Sequence, residues 1–251
     1  MAAEGKTIDA LSQFELAPVL GGLGRSVGFS QSNAHMMLAV GLIAGLFLYG
    51  MRHRAVVPGR LQAAAEMMYE FVEGLVLGQV GREGRRYFPF VFSLFAFVLF
   101  GNLLGLLPYA FTFTSHIAVT FALAFIVFIV ITAVALSIHG MHFFSYFFPE
   151  GAPKLLAPLI IPIEVISYLS RPVSLSVRLF ANMVAGHVML KVFATFVLLL
   201  SGLGAIGVVG AILPLAINVA LVGFEVLVAL LQAYVFAILT SIYLHDAVHL
   251  H

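Results

Sequence analysis

The feature that most constrains this chain is a shortage of charge. From Ala157 to Leu244 the only formal charges are Glu164, Arg171, Arg178, Lys191 and Glu225. Across all 251 residues, hydrophobic side chains make up 62% and charged ones 9%. A soluble domain carries roughly 25% charge, so a water-soluble globule is excluded. The apolar runs are long enough for helices to span a bilayer, which takes about 20 residues each. The fold class is therefore an all-α integral membrane protein. A charge at membrane depth costs about 2.5–3.5 kcal/mol on insertion scales, which makes each of those five residues a candidate for function.

Other bulk features narrow the function. The formal net charge of +1 implies no polybasic or polyacidic surface, and no nucleic-acid partner. The chain has no Cys, which rules out disulfides and thiolate metal sites. Trp is absent, so an interfacial aromatic belt must use Tyr. The first thirty residues lack a basic stretch followed by an apolar one, so no cleaved signal peptide is expected there. Nor are they the Arg-rich, acid-poor kind of transit peptide.

One membrane domain is expected over residues 1–251. Residues 1–31 read as a polar arm. A first transmembrane helix is expected over 33–51, closed by Arg52, His53 and Arg54. Residues 58–80 place Glu66, Glu70 and Glu73 at i, i+4 and i+7, the pattern of an amphipathic helix lying on the membrane surface. Arg52, Arg54, Arg60, Arg82, Arg85 and Arg86 put six of the twelve Lys and Arg between the first two spans. By the positive-inside rule that side is cytoplasmic and the N-terminus is outside. Further spans are expected over 87–107 and 117–138. In the first of these, Gly101, Asn102 and Gly105 favour close helix contact. The final two segments, 153–200 and 204–246, are longer than an upright span requires. About 40 residues of helix reach roughly 60 Å, twice the hydrocarbon thickness. A C-terminal hairpin of two long, strongly tilted helices is expected, with Pro158, Pro162, Pro172 and Pro214 permitting bends.

The polar residues of these last segments fall into register. Arg178 and Asn182 are four apart and share a helix face. His187 lies nine residues from Arg178, about half a turn round the wheel, and shares its face with Lys191. Glu164, Tyr168, Arg171 and Arg178 fall near one stripe if the helix continues through Pro172. In the last segment Asn218, Glu225 and Gln232 recur every seven residues, about 10.5 Å apart. A guanidinium keeps its proton and suits a fixed charge, whereas intramembrane Glu and His suit proton relays. Two blander readings stand beside this one. Arg178 and Glu225 could form a structural ion pair, and His187 could make a simple interhelical hydrogen bond. Lys191 and Arg171 suit snorkelling to an interface.

At SLSVRLFANMVAGH, followed by FEVLVALLQAYVFAILTSIYL, the chain resembles subunit a of F-type ATP synthases, of the α-proteobacterial and mitochondrial type. The GNLLGLLP run at 101–108 also resembles that family, and the likeness extends from about residue 30 to the end. The resemblance implies a non-catalytic, proton-conducting stator subunit with two offset half-channels serving the carboxylate of a rotating c-ring. It implies that Arg178 is the essential fixed charge facing that ring, with Asn182 one turn on and Gln232 on the neighbouring helix. Glu164 would belong to the cytoplasmic path, and His187 and Glu225, with Asn218, to the outer one. Ala181 stands where many members have Gly.

The implied partners are the c-ring, b-type subunits of the peripheral stalk, membrane lipid and protons. The implied place is a bacterial inner membrane or, alternatively, a mitochondrial one, with the C-terminus cytoplasmic. Neither GxxxxGK[ST] nor GxGxxG occurs, so ATP chemistry is assigned to other chains, and no cofactor or metal is expected. An anion-binding secondary transporter and a purely structural scaffold are the competing classes.

Overall fold

The computed structural model describes residues 30–52, 55–107, 110–148 and 156–249. Nearly all of the expected N-terminal arm, and the start of the helix expected from Pro153, lie outside the described residues. The elements in order are α1 (Gln31–Gly50), α2 (Arg60–Val80), a 3-10 turn (Arg82–Arg86) and α3 (Phe88–Gly105). A second 3-10 turn (Phe113–Ser115) leads into α4 (Ile117–His139), and a third (Gly140–Phe147) follows it. The chain closes with α5 (Ala157–Ser201) and α6 (Ala205–Val248). The fold is all-α, and α1, α3, α4, α5 and α6 are the five helices long and apolar enough to cross a membrane.

Local chemistry sets several boundaries. Pro89 and Pro158 sit in the first turns of α3 and α5, where a missing N–H is harmless. α5 then runs unbroken for 45 residues through Pro162 and Pro172. At about 1.5 Å per residue such a helix is roughly twice as long as the hydrocarbon layer is thick. It is far longer than an upright crossing needs, and so is α6 at 44 residues. Gly204, at φ 85, makes the turn between them. The return is tight: a Cβ on Gly207 would overlap the carbonyl oxygen of Leu200.

The core forms where the long hairpin meets the shorter helices. Val91, Leu94 and Val98 of α3, Val127 and Ile131 of α4, Leu175 and Leu179 of α5, and Phe236 of α6 belong to one buried cluster. Ala229, Ala233 and Ala237 of α6 are fully buried. Small side chains at that spacing let neighbouring backbones approach closely. α2 turns Ala65, Val72, Val76 and Val80 inward and leaves Met67 and Phe71 exposed. Gln62 ties its start to the preceding loop, donating to the Ala55 carbonyl at 3.1 Å and to Glu66 at 2.8 Å.

The segment between α3 and α4 is held against the bundle by two glycines. The Phe113 ring covers Gly101, and the Thr112 side chain lies on Gly105 so closely that neither glycine has room for a Cβ. This contact places Thr112 beside α5.

Candidate functional site

Two polar clusters lie along α5, one in each half of it, and Arg178 lies between them in sequence. The first joins His187 to Glu225. Glu225 is only 3% exposed, and its Oε1 stands 3.8 Å from Nε2 of His187. That is too long for a hydrogen bond. Gly186 makes the approach possible, since a Cβ there would come within 2.5 Å of the same carboxylate oxygen. Both Glu225 oxygens lack a hydrogen-bond partner among the described residues, as does Oδ1 of Asn218 seven residues earlier. His187 Nε2 is instead 2.8 Å from Oγ1 of Thr112. A cavity of about 320 Å³ reaches His187 past Gln31, Leu106, Ala110 and Phe111. His35 of α1 braces this segment: its Nε2 accepts from the Phe111 N–H at 3.1 Å, and its Nδ1 lies 2.9 Å from the Gln31 carbonyl.

The second cluster surrounds Arg171. Its guanidinium pairs with Asp246 near the end of α6 at 3.2 Å and hydrogen-bonds the Tyr146 hydroxyl. It also lies over the rings of Tyr146, Tyr168 and Tyr243, nearest to Tyr243 at 4.8 Å from the centroid. Tyr168 in turn meets Thr132 of α4 at 2.6 Å. Burial pushes the Tyr146 phenol above its usual range, and the Arg171 charge opposes that rise. Glu164, half-buried on α5, lies near enough for its charge to reach Tyr146.

Arg178 belongs to neither cluster. It is exposed on the chain, as are Val177, Ala181, Asn182 and Ala185 along the same stripe of α5. Among the described residues no ion pair joins Arg178 to Glu225; the carboxylate faces His187. The structural ion pair open at the level of the sequence is therefore not formed. α6 likewise leaves Phe224, Leu227, Leu230 and Leu231 exposed, while Glu225 and Gln232 are buried and Asn218 is half-buried. The seven-residue stripe thus keeps one face, turned inward. Lys191 is half-buried on the side of α5 that carries His187.

Thr112, His35, Tyr146 and Asp246 were not singled out from the sequence. Thr112 and Tyr146 sit in connecting segments where no periodicity operates. The paired glycines of GNLLG were the one signal that something must pack closely on α3.

These features define a multi-pass membrane protein with a buried acid–imidazole couple between its two longest helices. Residues 34–245 match the ATP synthase A chain family, and the chain belongs to that family. It is 66% identical over 252 residues to the ATP synthase subunit a of Granulibacter bethesdensis, covering 100% of both chains. Identity is 60% over 246 residues with that of Gluconacetobacter diazotrophicus, covering 98% of this chain and 99% of the relative. With that of Rhodospirillum rubrum it is 54% over 243 residues, covering 96% and 98%.

Proposed function

We infer that this chain conducts protons to and from a rotating ring of carboxylates through two half-channels kept apart by Arg178. The chain is the proton-conducting, non-catalytic membrane-sector subunit of an ATP synthase, and family membership over its whole length supports that role. The observation that carries the half-channel reading is the placement of three groups. His187 lines a cavity and faces Glu225, while Arg178 is exposed on another face of the same helix.

A proton enters the cavity and passes by His187, Glu225 and Asn218 to a carboxylate on the ring. Neutralised, that carboxyl can enter lipid without the cost of a bare charge. After nearly a full turn it meets the second path near Glu164 and releases its proton. Arg178 stands between the paths with Asn182 beside it and Gln232 on the facing helix. An opposite charge favours the ionised carboxylate, so the guanidinium promotes release and blocks direct passage. The electrical part of the driving force is about 2.3 kcal/mol per charge per 100 mV.

The exposed stripes of α5 and α6 suit cover by the ring and by lipid, and b-type stalk subunits complete the stator. The Arg-rich segment between α1 and α3 faces the cytoplasm by the positive-inside rule. With five crossings the N-terminus is outside and the C-terminus cytoplasmic. The relatives come from α-proteobacteria, which favours a bacterial inner membrane.

The test is ATP-driven acidification of inverted vesicles carrying Arg178→Ala, followed by passive leak after removal of the soluble ATPase. Lost pumping with retained or raised leak is expected. Normal pumping would reduce Arg178 to a structural cation and end this reading.

A further inference from the structure

Thr112 lies at the junction of the α3–α4 connection with His187. Thr112 is 5% exposed, and its hydroxyl has two neighbours, the Gly105 carbonyl at 3.2 Å and His187 Nε2 at 2.8 Å. A hydroxyl carries one hydrogen, and a carbonyl can only accept. With the Thr112 hydrogen given to the Gly105 carbonyl, its oxygen is left to accept from His187. That requires the hydrogen of His187 to sit on Nε2, the nitrogen nearest Glu225.

The same nitrogen is 3.8 Å from Glu225 Oε1. Closing to hydrogen-bond distance needs a shift of about 1 Å, which a side-chain adjustment supplies. Thr112 cannot follow such a shift. Its segment is fixed by His35 through the Phe111 N–H, and its side chain is pressed on Gly105.

We propose that Thr112 is a positioning residue for the outer proton path, parking the Nε2–H of His187 beside Glu225 until transfer. The proposal rests on the reading of His187 and Glu225 as that path. In the working step, hydronium in the cavity delivers a proton to the imidazole ring. The Nε2 proton then leaves Thr112 and passes to the Glu225 carboxylate, and the imidazole is left neutral. Water, imidazole and carboxyl are the products, so charge and protons balance.

The experiment measures passive proton conduction through the assembled complex in inverted vesicles stripped of soluble ATPase, normalised to the amount of this subunit and the ring. Thr112→Val keeps the shape and removes the hydroxyl. It is expected to slow conduction about tenfold, the order expected for one lost hydrogen bond. Thr112→Ser keeps the hydroxyl and is expected to conduct nearly as wild type. Gly105→Ala, which drives the Thr112 hydroxyl off its site, is expected to reproduce the valine defect and decides the matter if Thr112→Val fails to assemble.

Wild-type conduction by Thr112→Val, or by Gly105→Ala in its place, would overturn the proposal. So would Thr112→Ser as slow as valine, which would reduce the residue to packing. His187→Ala and Glu225→Gln are measured alongside. If both conduct normally, the outer-path reading itself is lost; if both fail while Thr112→Val conducts, only the role of Thr112 is lost.

Discussion

Arg171 and Arg178 stand seven residues apart on nearly the same side of α5, yet their surroundings are opposite. Arg171 is enclosed by Asp246, the Tyr146 hydroxyl and three tyrosine rings. Arg178 is exposed and lies outside both polar clusters. The difference teaches how to tell a clamp from a working group. A charge whose field is fully answered within its own chain holds helices together. A charge left unanswered by its own chain is open to whatever packs on that face. Glu225 resembles Arg178 in this respect, because its carboxylate oxygens lack hydrogen-bond partners among the described residues.

The sharpest way to break the comparison is to treat the two kinds of group alike. Glu225→Gln keeps size and burial and removes the titratable oxygen. It should cut coupled pumping by about 10²-fold or more, as loss of a positioned proton-transfer group does, with normal assembly shown by blotting. Gly186→Ala should approach the same defect by displacing the carboxylate while leaving Glu225 in place. If either variant pumps normally, the couple is no more than packing.

The clamp should respond in stability. Arg171→Leu leaves Asp246 half-buried without its partner and is expected to cost about 2 kcal/mol, read as a shorter half-life of the detergent-solubilised complex on warming. Arg171→Leu with Asp246→Leu should recover much of that loss, because the unpaired charge is removed too. A pumping defect in Arg171→Leu at unchanged stability would instead move Arg171 into the proton path.

The smallest effect concerns pH. The phenol of Tyr146 has a raised pKa in the folded chain because of burial. A group with a raised folded pKa stabilises fully below its unfolded value, about 10 for tyrosine, and loses that contribution as pH rises through the folded value. Wild type should therefore lose stability above about pH 10 more steeply than Tyr146→Phe. Parallel curves would show that Tyr146 does not sense pH.

Much of this was legible in the sequence. The scarcity of charge dictated an all-α membrane fold, because about 20 apolar residues per crossing leave little alternative. Helical periodicity put Glu225 and Gln232 on one face of α6, and both are buried there. It also put Arg178 and His187 on different faces of α5, and one is exposed while the other faces Glu225. Periodicity could not distinguish Arg171 from Arg178, since a helical wheel gives both the same direction. What separates them is which element covers each height of the helix: the turn after α4 and the end of α6 close over Arg171. Nor could the sequence indicate Thr112, which sits in a connection where no repeat applies. Its place depends on two glycines of α3 admitting the loop and on His35 holding it. The sequence by itself determined the medium, the helices and their faces, because these follow from local spacing and transfer free energy. Only the tertiary structure decided which polar groups are answered and which are left to act, because that depends on neighbours distant in the chain.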